Sequence, residues 1–425
     1  MKNINFRLSL FLRSNRWSIL LLLTIAVYLL ILSNFTLWQS VGIPKLKAPF
    51  ADMQAILSAS DAYREGYNPY IENPHDPLGR KHVYPRPWLW LGYTGLTQDH
   101  SKFAAILLMS FFFLLSIRIL RPENGNEFLL SAMLLLSPAV LLGVERGNND
   151  LIIFILLGLA VFSLNNKNNL LDLIAYFFLF LASILKFYPI ASFLIFVRII
   201  KDYKKFWMFA LFSILFFGVY AVFSFSDFEY LKNIVPKPHG RFTFGAAIFF
   251  EWILDEWPVN AMYIYFMAVA VFFLAFLLSS RTGLSEVRNN SINTIFFLVG
   301  SLNILFCFFA NTNYDYRCIF FVLILPWLFE NLKCEITPVS TKRFIKMLLL
   351  FLPVIVWNET IITLIGLKVG SPGITETKLF AMVNLYKLEH LSTWIVITIL
   401  LAFCIELLKA PIGDKMTAPF SKATR

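Results

Sequence analysis

Apolar runs of membrane-spanning length recur along the whole chain, separated by short polar turns. Twelve such segments are predicted as helices, at 17–38, 101–120, 128–144, 151–164, 170–185, 189–200, 206–225, 259–279, 291–310, 317–331, 344–365 and 391–409. Several are shorter than the roughly 20 residues a full crossing takes, so 151–164 and 189–200 are expected to be tilted, broken or longer than drawn. The pattern predicts an all-α polytopic membrane bundle, a single integral-membrane domain over residues 1–425. Three connections are much longer than a turn needs: 39–100, 226–258 and 366–390. Loops of that length are usually functional. No internal repeat or low-complexity tract interrupts the pattern.

Composition agrees. The chain is 58% hydrophobic and 15% charged, with a mean hydropathy of +0.68, where a soluble chain carries about 25% charged residues. The net charge of +11 comes from 37 Lys and Arg against 26 Asp and Glu. Its cations cluster at alternate turns: Lys2, Arg7, Arg13 and Arg16; Arg118 and Arg121; Lys201, Lys204 and Lys205; Lys333, Lys342, Arg343 and Lys346; and Lys409, Lys415, Lys422 and Arg425. That alternation puts both termini on the cytoplasmic side and the three long loops outside. It also argues against a nucleic-acid partner, which would draw the excess onto one soluble face. Cys307, Cys318, Cys334 and Cys404 form no CxxC or Cys/His cluster, so neither a disulfide framework nor a zinc site is expected. The first apolar run lacks a small-residue cleavage site and reads as an uncleaved anchor.

The candidate chemistry lies on the outer side. In "FADMQAILSASDAYREGYNPY" a helix is predicted from Asp52 to Gly66, lying at the membrane interface with Met53, Ile56, Leu57 and Ser60 on one face. Asp52 and Asp61 are nine residues apart and point in opposite directions, so only one can face a given cavity. Asp61 has Arg64 and Glu65 as helical neighbours, whereas Asp52 has no charged residue within four positions. Asp52 reads either as a helix N-cap or first-turn acid, or as a functional carboxylate. Pro85 and Pro87 exclude a regular helix before Trp88 in "YPRPWLWLGY". Its aromatics suit a headgroup anchor or a wall for a lipid-linked substrate. Lys186, in "LKFYP", either snorkels to the interface or binds a phosphate. Asp315 and Arg317, in "NTNYDYR", read as a local ion pair or as a phosphate clamp. The turn "ERGNND", Glu145 to Asp150, is over-polar for a simple reversal: Gly147 permits the turn, and Asn149 or Asp150 can cap the helix that follows. No phosphate-cradling Gly-rich loop, HExxH, GxSxG or DxD is present, so a sugar or phosphoryl donor has to be lipid-linked.

Four elements in order resemble glycosyltransferase family 87 of the GT-C superfamily, the polyprenol-phosphate-mannose-dependent mannosyltransferases. They are "ADMQAILSASDAYREGYNPY", "HVYPRPWLW", "LGVERGNNDLIIFILLGLAV" and "LASILKFYPIASFLIF", together covering roughly residues 50–200. The second half matches less clearly, and "NTNYDYR" has no His where family members often carry one. The resemblance implies a GT-C-like core over residues 1–225, with the outer loop 39–100, and variable spans over 226–425. It implies an inverting transfer of a hexose, mannose by family, from a polyprenyl-phosphate sugar to a lipid or glycan acceptor, with no metal and no cofactor. Asp52 takes the place of the general base, and Lys186, Arg317 and Arg146 are the donor-phosphate cations. Glu145, Asn148, Asp61, Tyr84, Tyr188 and Asp315 are expected to orient substrate, with Glu145 holding Arg146. The expected location is a bacterial plasma membrane. Two other classes share the polytopic charge pattern: a transporter or flippase for lipid-linked glycans, and a non-catalytic subunit of polysaccharide assembly.

Overall fold

The computed structural model describes residues 15–33, 36–44, 46–164, 169–200, 203–284, 291–310, 312–364 and 376–409. Lys2, Arg7, Arg13, Lys201, Lys415, Lys422 and Arg425, which carry part of the orientation argument, lie outside these residues, as does the start of the 366–390 loop. Each of the twelve apolar segments is helical over most of its length. In lipid a backbone without internal hydrogen bonds is too costly, which leaves the helix as the usable form.

Among the described residues, six helices are long and apolar enough to cross a membrane: Gln98–Leu120, Lys204–Phe223, Ala261–Arg281, Ile292–Ala310, Val339–Leu364 and Met382–Lys409. A seventh results if Gly125–Leu135 and Pro138–Arg146, bent by 49°, form one span. The expected count of twelve therefore exceeds what length and apolarity support, because Arg16–Ile31, Asp150–Leu164, Leu170–Leu185 and Tyr188–Ile199 are short. The bend has a local cause. Ser137 caps the second helix by accepting from Val140 N, and Pro138 opens it. Tyr188–Ile195 is a 3-10 helix with Pro189 as its second residue, and Asp315–Phe320 is another ahead of Phe321–Lys333.

Lys204–Phe223 buries none of its apolar window, and Ala261–Arg281 buries 11%. Apolar faces of this size cannot stay in water, so the chain is a multi-pass membrane protein. Ile292–Ala310 is the central element, with 83% of its window buried. Gly300 lets it meet Phe321–Lys333 closely, since a Cβ there would lie 2.9 Å from Phe320 O and Leu323 Cβ.

Two expectations fail. The first-loop helix, Ala51–Arg64, does not turn one apolar stripe inward and a polar face outward: Ala51 through Ala62 are all buried. Its Ala and Ser positions admit close neighbours, and Ser60 Oγ donates to Leu89 O at 2.8 Å in the 3-10 helix Arg86–Thr94. The supposed loop 366–390 is helical from Glu376 onward and continues to Lys409. Met382, Tyr386 and His390, spaced by four, form a buried face on it.

The long loops are tied to one another. Arg86 Nη2 meets Asp227 Oδ1 at 2.5 Å, and Tyr70 stacks on Tyr230. Thr243–Phe244 pairs antiparallel with Asn313–Tyr314. Glu359 Oε2 accepts from Arg241 Nη2 at 2.5 Å, and its Oε1 accepts from Phe242 N and Tyr386 OH at 3.2 and 2.9 Å. The first loop, the second loop and the segment bearing Arg317 thereby enclose one cavity.

Candidate active site

The turn Glu145–Asp150 organises the cavity wall. The helix Pro138–Arg146 ends at Gly147, whose φ of 57° suits glycine. A Cβ there would lie 3.0 Å from Ala105 Cβ and 3.2 Å from the Cβ atoms of Met53 and Phe50. The turn thus sits directly on the start of the Ala51–Arg64 helix. Asn148, fully buried, donates from Nδ2 to Asp52 Oδ2 at 2.6 Å, and its Oδ1 accepts from Asp150 N at 2.9 Å. One amide therefore fixes the carboxylate of Asp52 and caps the following helix. Asn149 and the Asp150 carboxylate do not take the expected capping role.

Asp52 stands in the first turn of its helix but does not cap it. The N-cap position is Phe50, without a side-chain bond, and the Asp52 carboxylate goes to Asn148 and Arg80. The contact of Oδ1 with Arg80 Nη1 is long, at 3.5 Å. Arg80 is itself anchored on Asp76, through Nη2 at 2.9 Å and Nε at 3.1 Å, and on Ala51 O at 2.5 Å. Burial works against the Arg80 charge, but the bond to Asp76 and the charges of Asp76 and Asp52 outweigh it and raise its pKa above the ordinary value. Burial, then the negative charge of Asp52, holds the Tyr84 hydroxyl well above its ordinary value, so it stays protonated as a donor.

Asp150, 1% exposed, is the hub of the cations. Its Oδ1 receives Lys186 Nζ and Tyr188 OH, the latter at 2.9 Å, and its Oδ2 receives Arg317 Nη1. Lys186 and Arg317 are 8% and 9% exposed. Two buried cations share one carboxylate, which leaves one positive charge to be met in a setting where charge is poorly screened. Tyrosine faces supply part of the compensation. The Arg317 guanidinium lies 4.5 Å from the Tyr188 ring centre and 5.5 Å from that of Tyr316. Lys186 Nζ lies 5.5 Å from the ring centre of Tyr84, and Arg146 lies 5.0 Å from that of Tyr314.

The cavity has a volume of about 960 Å³. Of the residues expected to form a site, Asp52, Arg146, Lys186, Arg317, Tyr84 and Tyr188 line it, and Asn148 stands immediately behind Asp52. Glu145, Asp61 and Asp315 do not. Glu145 and Arg146 are adjacent on a helix, so their side chains diverge by about 100°. Glu145 faces the chain entering the Asp52 helix, accepting from Leu46 N at 3.5 Å, and does not hold Arg146. Asp61 accepts from Gln98 N at 2.8 Å, tying its helix to the start of the next span, and meets Arg64 at 3.4 Å. Asp315 is not the partner of Arg317; that carboxylate is Asp150. Asp150, Arg80, Tyr314 and Tyr316 were missed. The lining also includes the apolar side chains of Phe187, Phe228, Leu231, Ile234, Val235 and Phe306.

A family model, Glycosyltransferase family 87, matches residues 87–302, just over half of the chain. The chain belongs to glycosyltransferase family 87. No curated protein and no solved structure matches it. The matched stretch of this glycosyltransferase holds Arg146, Asn148, Asp150, Lys186 and Tyr188, while Asp52, Arg80 and Arg317 lie outside it. The cavity of the glycosyltransferase thus draws one wall from the matched region and closes with residues on either side.

Proposed function

We propose that the protein moves a hexose, mannose in the simplest case, from a polyprenyl-phosphate donor to a lipid-linked or glycan acceptor on the outer face of the membrane, with inversion. The observation that carries this reading is one cavity holding Asp52 beside a cation pair that shares a single carboxylate. Asp52 Oδ1 takes the proton from an acceptor hydroxyl. The hydroxyl oxygen bonds to the anomeric carbon while the bond from that carbon to the phosphate oxygen breaks. Electrons of that bond pass to the lipid phosphate, whose charge grows in the transition state. Arg317 and Lys186, already turned toward the cavity, stabilise it, and Arg146 assists. Asn148 and Arg80 orient Asp52; Asn148 ties it, through the backbone of Asp150, to the residue whose carboxylate pairs with both cations. The apolar lining of Phe187, Phe228 and Leu231 suits the first isoprenes of the donor.

The test is reconstitution of the purified protein in liposomes with labelled polyprenyl-phosphate mannose and a panel of outer-face acceptors. The expected result is a labelled product whose anomeric configuration is opposite to that of the donor. Movement of donor across the bilayer without transfer would replace this reading with a transporter.

A further inference from the structure

The cavity holds more positive charge than a polyprenyl phosphodiester can use. Seven cationic side chains line it against one lining carboxylate, Asp52. Two further carboxylates stand behind the wall, Asp76 on Arg80 and Asp150 on Lys186 and Arg317. Seven cations less three carboxylates leaves an excess of four, and the donor brings one negative charge. Three of the seven, Lys81, Lys232 and Lys237, are exposed, whereas Lys186 and Arg317 are buried and Arg80 and Arg146 are half-buried. Among the described residues no carboxylate lies within ion-pair distance of these three.

All three nonetheless line the cavity. Phe228, Leu231 and Lys232 follow the i, i+3, i+4 spacing of one helix face, and all three line the cavity. Glu229, three residues before Lys232 on the same helix, does not come within ion-pair distance of it. Nearby acids are committed elsewhere: Asp227 to Arg86, and Glu251 toward His239. Lys237 is held between Pro236 and Pro238, whose fixed φ stiffens the segment that presents it. On the proposed topology these lysines are also on the outer side, against the usual bias of Lys and Arg to the cytoplasmic side.

We infer that the acceptor carries an anionic group of its own, a phosphate or a carboxylate, bound by Lys81, Lys232 and Lys237 while its hydroxyl lies at Asp52. Assigning the anion to the acceptor rests on the transferase reading above; the anion subsite rests on the three lysines alone. Phosphate and carboxylate satisfy the same cations, and two ligands tell them apart.

The test measures binding, so its outcome is independent of whether transfer is ever observed. The full-length protein in nanodiscs is saturated with farnesyl phosphate. Calorimetry then follows a methyl hexoside, its 6-phosphate and the corresponding hexuronide. The expected result is binding of one or both anionic sugars about tenfold tighter than the neutral sugar at low salt, a preference that shrinks as salt shortens the screening length. Changing all three lysines to glutamine removes the preference and leaves farnesyl phosphate affinity unchanged. Lys232→Glu with Lys237→Glu reverses it, so loss of folding in one variant does not decide the outcome. Equal binding of neutral and anionic sugars overturns the inference. So does a parallel loss of farnesyl phosphate affinity, which would give the three lysines to the donor.

Discussion

Replacing Asp150 by Asn removes the hub charge while keeping the side-chain size. The wild-type carboxylate receives Lys186 Nζ, Arg317 Nη1 and Tyr188 OH, all buried. Removing one partner of a buried ion pair costs about 3–5 kcal/mol, because the remaining charge is left without water or counter-charge. At about 1.4 kcal/mol per factor of ten, the ratio of folded to unfolded protein falls by about 10² to 10⁴. Thermal unfolding in detergent, followed by tryptophan fluorescence, is expected to drop by roughly 5–10 °C. A second expectation separates this from a generic loss of packing. With Asp150 neutral, a bound phosphate is the main anion available to both cations. Farnesyl phosphate should therefore raise the midpoint of Asp150→Asn by more than that of the wild type, since a ligand stabilises in proportion to its affinity for the folded state. A midpoint within about 1 °C of the wild type, or an equal rise with the lipid phosphate, would refute the claim that Asp150 neutralises these cations.

Asn148→Ala removes a charge-assisted hydrogen bond from Asp52 worth about 1.5–3 kcal/mol; turnover should fall by about 10- to 100-fold with donor KM little changed, and an unchanged kcat would show that Asn148 does not position the base. Gly147→Ala places a Cβ 3.0 Å from that of Ala105 at a positive φ; a loss of at least about 1–2 kcal/mol is expected, visible as a lower melting midpoint, and wild-type stability would mean the turn is looser than described. His82, buried between Tyr70 and Tyr84, has its pKa lowered to about 3 by burial. The unfolded chain binds that proton near pH 6.5 and the folded chain does not, so stability is full above pH 6.5 and falls as pH drops toward 3, by about 1.4 kcal/mol per unit. His82→Phe should flatten the stability profile between about pH 4.5 and 6.5; an unaltered slope there would place the acid sensitivity elsewhere.

Much of the fold was legible because lipid leaves few alternatives to a helix, and the apolar runs mark where the chain must form one. The break at Ser137–Pro138 carries its own signal, a capping residue followed by proline. The burial of the Ala51–Arg64 helix was not legible because Ala and Ser look neutral in an apolar pattern, yet their small size lets other segments cover it from Ala51 to Ala62. The helix from Glu376 was read as loop because Lys387, Glu389 and His390 mask the buried face of Met382 and Tyr386. Within the site, Asp52 was legible as an isolated acid beside small residues. Asp150 was not: an Asp at a helix start has an ordinary local explanation, and its partners Lys186 and Arg317 are 36 and 167 residues away. Arg80 was hidden in the same way, 28 residues from Asp52 in a loop without periodicity.

The central claim is that Asp52 removes the acceptor proton while the cations around Asp150 hold the donor phosphate. Its most direct test is Asp52→Asn in the reconstituted transfer assay, with farnesyl phosphate affinity and melting midpoint measured on the same preparation. Loss of a general base costs about 10²- to 10⁴-fold in rate. Transfer is expected to fall by that factor while lipid-phosphate binding and stability stay close to the wild type. Transfer at the wild-type rate by folded Asp52→Asn would contradict it.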